Sequence, residues 1–266
     1  MAWCAQVRVQ IMRLRILGCS GGIGGDLRTT SMLLDEDVLI DAGTGVGNLT
    51  LSQLAKIDRI FVTHSHLDHV TSIPFLLDTV GFQRTKPVTL HAAPETLDIL
   101  GAHLFNWKLW PDFRRIPDEK APILRFSPVA VGVPVVLSGG RTITPLPANH
   151  VVPAVGYHLD SGACSLVFTG DTTSHDGIWN FVNKINNLWY LIIESALPDA
   201  ENELAIISKH LCPGLLAAEL TKLQLNPDIY VTHFKPREAE LIMGQIKALI
   251  PQRNMQMLEQ NQIFEF

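Results

Sequence analysis

The chain lacks most of what would mark a secreted, membrane-bound or polyanion-wrapping protein. Its four cysteines, Cys4, Cys19, Cys164 and Cys212, have no CxxC spacing and are too sparse for a disulfide scaffold. Such use of cysteine suits a reducing, cytoplasmic setting. Cys19 and Cys164, in glycine-rich or apolar surroundings, read as free thiols of the core. No apolar run approaches the roughly 18 residues of a spanning helix, so no membrane partner is expected. Residues 1–11 have none of the basic region, apolar stretch and small-residue cleavage site of a secretory leader, and read as an extension ahead of one domain over 12–266. Aromatic residues make up only 7%, and the net charge is −5 with no basic block, which argues against nucleic acid as a partner. With 266 residues and 47% hydrophobic content, the chain can still bury a full core.

What the chain does have is concentrated between Thr63 and His69. His64, His66, Asp68 and His69 put three imidazoles and a carboxylate into six residues, directly after the strand-like run 57–63. Nitrogen and hard-oxygen donors at this spacing suit zinc or a neighbouring first-row metal. A histidine-rich surface loop is the plain alternative, and four ligand-type residues so close together outweigh it. The same grammar of strand then donor recurs. His150 follows 141–147, Asp171 closes 164–168 in a Gly-Asp turn, and His233 follows 230–232. Each alone would read as a turn or surface residue. Beside the first motif they make a set at strand ends, where a rigid scaffold usually carries its functional side chains.

Periodicity places these motifs on an α+β frame. Residues 12–17 alternate as a first strand, and 31–34 with 37–41 form a hairpin around Asp35, Glu36 and Asp37. Val70, Ile73, Leu76, Leu77 and Val80 predict a helix over 69–80, starting directly after the metal loop, and 94–104 opens as helices often do, with Pro and Glu. Short strands fill 122–159. Helices are expected at 178–185, 215–223 and 236–249, interleaved with strands at 188–193 and 228–232. Helices and strands alternating in both halves fit a four-layer αββα sandwich, two mixed sheets packed face to face with helices outside.

The order His-x-His-x-Asp-His, then single His, Asp and His at strand ends, resembles the metallo-β-lactamase superfamily of hydrolases. The resemblance runs from residues 18–22 and 39–45 to 232–236 and implies two structurally similar halves. Within the superfamily the chain is more similar to class II cyclic-nucleotide phosphodiesterases, through 64–69, through 103–106 with 110–112, and through 193–198 with 209–213. It departs from them at 71–75 and 196–199, away from the ligand residues.

The resemblance implies that His64, His66 and His150 hold one divalent cation and Asp68, His69 and His233 a second, with Asp171 bridging them. Two such cations acidify a shared water and clamp the attacking and leaving oxygens of an in-line displacement. Zinc is the first expectation, and manganese or iron suits the same nitrogen and oxygen donors. Asp41 resembles the carboxylate that orients a ligating histidine. His210, paired with Glu194, is the expected proton donor to the leaving group, and Asp68 can accept a proton from the attacking water. His103, Phe105, Asn106 and Trp110 are candidates for a substrate pocket. Phe105, Trp107, Trp110 and Phe113 would either form a wall for a purine or serve as core or as a contact in a homodimer. His175 is a further pocket candidate. His91 and His158 read as strand residues without a role, and the glycines over 18–25 as turn formers.

The activity implied is metal-dependent opening of 3′,5′-cyclic nucleotides, cyclic AMP or GMP, to 5′-nucleotides. Two alternatives stand beside it: a transfer-RNA 3′-processing endonuclease of the same fold, and a silent metal-binding interaction protein. The acidic charge and the lack of a long Gly/Pro-rich arm weigh against the first alternative, and the complete ligand set against the second.

Overall fold

The computed structural model describes residues 11–266, so the expected extension lies outside the described residues except for Ile11. Among the described residues, fourteen strands form two seven-stranded sheets. The first sheet comprises β1 (Arg13–Gly18), β2 (Ser31–Leu34), β3 (Val38–Ala42), β4 (Arg59–Phe61), β5 (Val88–Ala92), β6 (Leu124–Pro128) and, from the far end of the chain, β14 (Ile263–Glu265). The second comprises β7 (Val135–Val136), β8 (Thr142–Pro147), β9 (Val155–Asp160), β10 (Ser165–Phe168), β11 (Leu188–Glu194), β12 (Asp228–Thr232) and β13 (Met255–Met257). The spatial orders are β14-β1-β2-β3-β4-β5-β6 and β13-β12-β11-β10-β9-β8-β7. Both sheets are mixed: β3 to β6 and β10 to β13 run parallel, and the remaining pairs are antiparallel.

The layers follow from residue alternation on the pleat. In β3 and β4, Leu39 and Ile60 face outward onto helices while Ile40 and Phe61 face the other sheet. Strands covered on both faces read as unbroken apolar runs, as these do. The inter-sheet core joins Leu14, Ile16, Met32, Phe61, Tyr157, Phe168 and Ile192. Outside the first sheet lie α1 (Leu51–Leu54), α2 (Leu67–Val70), α3 (Ser72–Val80) and α4 (Pro94–His103), with Leu76, Leu77, Leu97 and Leu100 packed inward. The second sheet is covered by α5 (Gly177–Val182), α7 (Pro213–Leu220) and α8 (Ala239–Leu249) through Ile178, Leu216, Ile242 and Ile246, while α6 (Asn202–Ser208) carries its own small cluster around Ala205. The αββα architecture is the one expected. Two hydrogen bonds stitch the sheets beneath the loop that follows β4, Tyr157 Oη to the Val62 carbonyl at 2.8 Å and Val155 N to the Thr63 carbonyl at 3.0 Å.

Some boundaries differ from the periodicity. The helix expected over 69–80 starts two residues earlier and divides at Thr71, so Asp68 and His69 sit on a helical turn rather than in the loop. The helix expected over 178–185 stops at Val182, because the Asn183 side chain turns to the Lys222 carbonyl and the Gln224 amide. Arg237, at φ 77°, delays α8 to Ala239. Among the described residues no helix is long and apolar enough to cross a membrane.

Candidate metal centre

Loops leaving β3, β4, β8, β10, β11 and β12 meet at one edge of the sandwich. The first support is Asp41, fully buried at the end of β3. Its carboxylate accepts the amide and hydroxyl of Thr63, each at 2.8 Å, and the Nδ1–H of His69 at 2.7 Å. Those bonds fix the loop after β4 and turn His69 Nε2 toward Asp171, 3.3 Å from its Oδ2. Gly43 lets the chain close over this turn, since a Cβ there would stand 2.3 Å from the Asp68 carbonyl oxygen.

Around Asp171 the donors converge in two groups that hold the expected ligands and a third, His150, Asp171 and His210, that overlaps them. The ligand-type atoms of His64, His66 and His150 lie within 4.8 Å of one another, and so do those of Asp68, His69, Asp171 and His233. Asp171 Oδ2 faces both groups, 3.8 Å from His64 Nε2 and 3.3 Å from His233 Nε2. His150 Nε2 is 3.2 Å from His66 Nδ1, and Asp68 Oδ2 is 3.7 Å from His69 Nε2. The backbone is strained here as functional sites often are: His233 sits at φ 67°.

The donor set fits divalent cations. Two nitrogens bound to one tetrahedral metal at about 2.1 Å stand roughly 3.4 Å apart, which matches the spacings above. His64 Nε2 is buried with no hydrogen-bond partner, an arrangement that is costly unless something else occupies its lone pair. Burial drives His64, His66 and His233 below their ordinary pKa, and His150 to about 4, so these rings are neutral and offer their lone pairs. His69 behaves oppositely: burial opposes its charge, but Asp171 and Asp41 outweigh it and hold the ring well above its ordinary value. In the metal-free protein that proton answers the carboxylate charge a cation would meet.

A second constellation adjoins the first. His210 Nδ1 is 2.8 Å from Glu194 Oε1. Glu194, fully buried at the end of β11, also accepts the Thr172 amide at 2.9 Å and the Leu211 amide at 3.3 Å. Burial works against the charge of His210, yet the neighbouring carboxylate raises its pKa above the ordinary value. The His210 ring lies 5.0 Å from that of His150 and 5.3 Å from that of His233.

The proposed pocket residues divide. Phe105 is fully buried in the helix-facing core, packed near Phe126, and Phe113 is buried with it, so neither forms a pocket wall. This corrects the expectation for Phe105: its ring has gone where the most apolar area is removed from water. Trp110 is half-buried, edge-on to Phe75, while Trp107 and His103 are exposed. Asn106 is occupied by its own loop, bonding the Ala102 carbonyl and the amides of Lys108 and Leu109. His91 is buried in β5 and stacked on Phe61, and His158 lies in β9. His175 stands at the Glu219 carboxylate, which its amide meets at 3.4 Å. Thr63, Thr172 and Lys209 also hold the site residues in place, Thr63 and Thr172 through a backbone amide and a hydroxyl each and Lys209 through its carbonyl and ammonium, contacts that residue type alone does not reveal.

A two-sheet sandwich with clustered His and Asp at the strand ends defines a metallo-β-lactamase fold. The chain belongs to the β-lactamase superfamily domain family, whose model matches residues 36–248. A ribonuclease Z of Bradyrhizobium diazoefficiens is 28% identical, covering 90% of this chain and 95% of that protein. A 3′,5′-cyclic-nucleotide phosphodiesterase of Schizosaccharomyces pombe is 24% identical over 79% of this chain and 70% of its own length. Among solved structures, a metallo-β-lactamase fold protein of Bacillus subtilis superposes with a TM-score of 0.74 at 16% identity, covering 97% of this chain and all of that one (100%).

Proposed function

We propose that this chain is a binuclear, metal-dependent phosphodiesterase that opens 3′,5′-cyclic nucleotides to 5′-nucleotides. His64, His66 and His150 would hold one cation, and Asp68, His69 and His233 the other, with Asp171 shared. Zinc is favoured, and manganese or iron is compatible with the same donors. When bound, such cations supply Lewis acidity to a water and to the phosphoryl oxygens.

The observation that carries the reading is the Glu194–His210 pair, 2.8 Å apart and ring to ring with two of the proposed ligands. Glu194 occupies Nδ1, which leaves Nε2 to donate a proton to a departing ribose oxygen. Glu194 cannot drift, because two backbone amides also hold it. Burial opposes the charge of His210, but the buried carboxylate raises the imidazole's pKa above the ordinary value, a shift in the direction that a general acid requires. Asp68, the more exposed of the two cluster carboxylates, would take the proton that the attacking water gives up.

The phosphodiesterase of Schizosaccharomyces pombe supports the cyclic-nucleotide substrate. A second reading, cleavage of precursor transfer RNA, is favoured by the longer and somewhat more similar match to ribonuclease Z. Metal-loaded protein assayed side by side on cyclic AMP, an aryl phosphodiester and a precursor transfer RNA separates them. Turnover of cyclic AMP is expected. Cleavage of the transfer RNA with cyclic AMP untouched would replace the first reading by the second.

His210→Ala tests the acid. It should keep its metals and lose about a hundred- to ten-thousand-fold in rate on a ribose leaving group. The aryl ester, whose leaving group needs little protonation, should suffer far less. Equal losses on both would assign His210 to binding.

A further inference from the structure

We propose that Lys209 is a positioning residue that locks His150 for metal binding and ties it to the His210 loop. The inference rests on the reading of His150 as a ligand. Helix α6 ends at Lys209, whose backbone is left-handed at φ 53° and ψ 48°. Glycine is the usual occupant of that position, because a Cβ is strained there. A lysine at a glycine position has to be justified by what its side chain does.

Lys209 grips His150 from both ends. Its carbonyl, set free by the end of the helix, accepts the His150 Nδ1–H at 3.0 Å. Its ammonium donates to the His150 carbonyl and to Asn149 Oδ1, each at 3.1 Å. With Nδ1 spent as a donor, His150 keeps the lone pair on Nε2, the nitrogen 3.2 Å from His66 Nδ1. The next residue is His210, so the same strap sets how the proposed ligand and the proposed proton donor stand to each other.

Lys209→Gly would keep the carbonyl, relax the backbone and remove the side chain with its ammonium, whereas Lys209→Met would keep an apolar stem and remove the ammonium alone. Lys209→Gly and Lys209→Met therefore separate fold from site. Calorimetric titration of the metal-free proteins with zinc reads the difference, alongside their thermal midpoints. Metal-free Lys209→Gly should melt at or above the wild-type temperature, yet bind one of its two zinc ions about ten- to a hundred-fold more weakly. Lys209→Met should show the same zinc defect without the gain in melting temperature. Excess zinc should restore turnover of an aryl phosphodiester by both.

Zinc isotherms like wild type in either variant would overturn the proposal. So would a metal-free Lys209→Gly whose melting temperature falls, which would make the lysine a structural residue. The isotherms need no substrate, so they decide this inference even if the phosphodiesterase reading fails.

Discussion

Asp171 shows how one side chain can organise a site it does not fill. Its carboxylate is buried, an unfavourable position for a charge, but the histidines packed around it hold its pKa well below the usual carboxylate range. Oδ2 faces nitrogens from both donor groups at 3.3 to 3.8 Å. If it is shared, Asp171→Ala should lose both metal content and hydrolysis together, because the remaining histidines cannot hold two like charges close without an anion between them. Metal analysis by emission spectrometry beside an activity assay checks this. Full occupancy with full activity in the variant would remove Asp171 from the centre.

The candidate metal loop depends on elements being able to touch. Gly43, after β3, lies under the turn α2, and a methyl group there would stand 2.4 Å from Thr29 Oγ1 as well as against the Asp68 carbonyl. Gly43→Ala should therefore push α2 outward, lowering zinc affinity and costing about 1 to 3 kcal/mol of stability by overpacking. Urea unfolding with and without zinc measures both, and an unchanged zinc affinity would mean that α2 does not depend on this contact. At this level the sequence was informative where one physical demand dominated. β3, β4, β11 and β12 are apolar because both faces are covered, and the candidate ligands were visible because they cluster at strand exits. Helix α1 rests on a capping box of Thr50 and Gln53, and the three-residue strands β13 and β14 on pairing with distant partners, so neither left a periodic trace. Trp110 and Phe105 are equally aromatic on paper, and only the packing decides that Phe105 turns inward. The left-handed Lys209 left no trace either, since a lysine there runs against its backbone preference.

The seam between the sheets carries its own pH dependence. His91 is 6% exposed, lies parallel to Phe61 with ring centroids 4.4 Å apart, and has both nitrogens unpartnered. Burial, helped by Arg59, pushes it down to about 4. An unfolded chain's histidine takes up its proton near 6.5. The stability His91 permits is therefore fully present above that value and is lost as pH falls from about 6.5 toward 4, by up to about 3 kcal/mol. His91→Phe should remove this loss, so the stability gap between variant and wild type should widen between pH 7 and pH 4.5 in urea titrations; a constant gap would show that His91 does not titrate there. The threading of the sheets has a further consequence, for synthesis. β1 pairs with β14 on one side and β2 on the other, so translation must pass residue 263 before the first sheet has its full set of neighbours. A nascent chain offers His64, His66, Asp68 and His69 long before His150, Asp171 and His233 have left the ribosome. Until then it would hold only half of the proposed donor set, open to any imidazole-seeking ion in its surroundings, and the proposed cations would best be loaded after release.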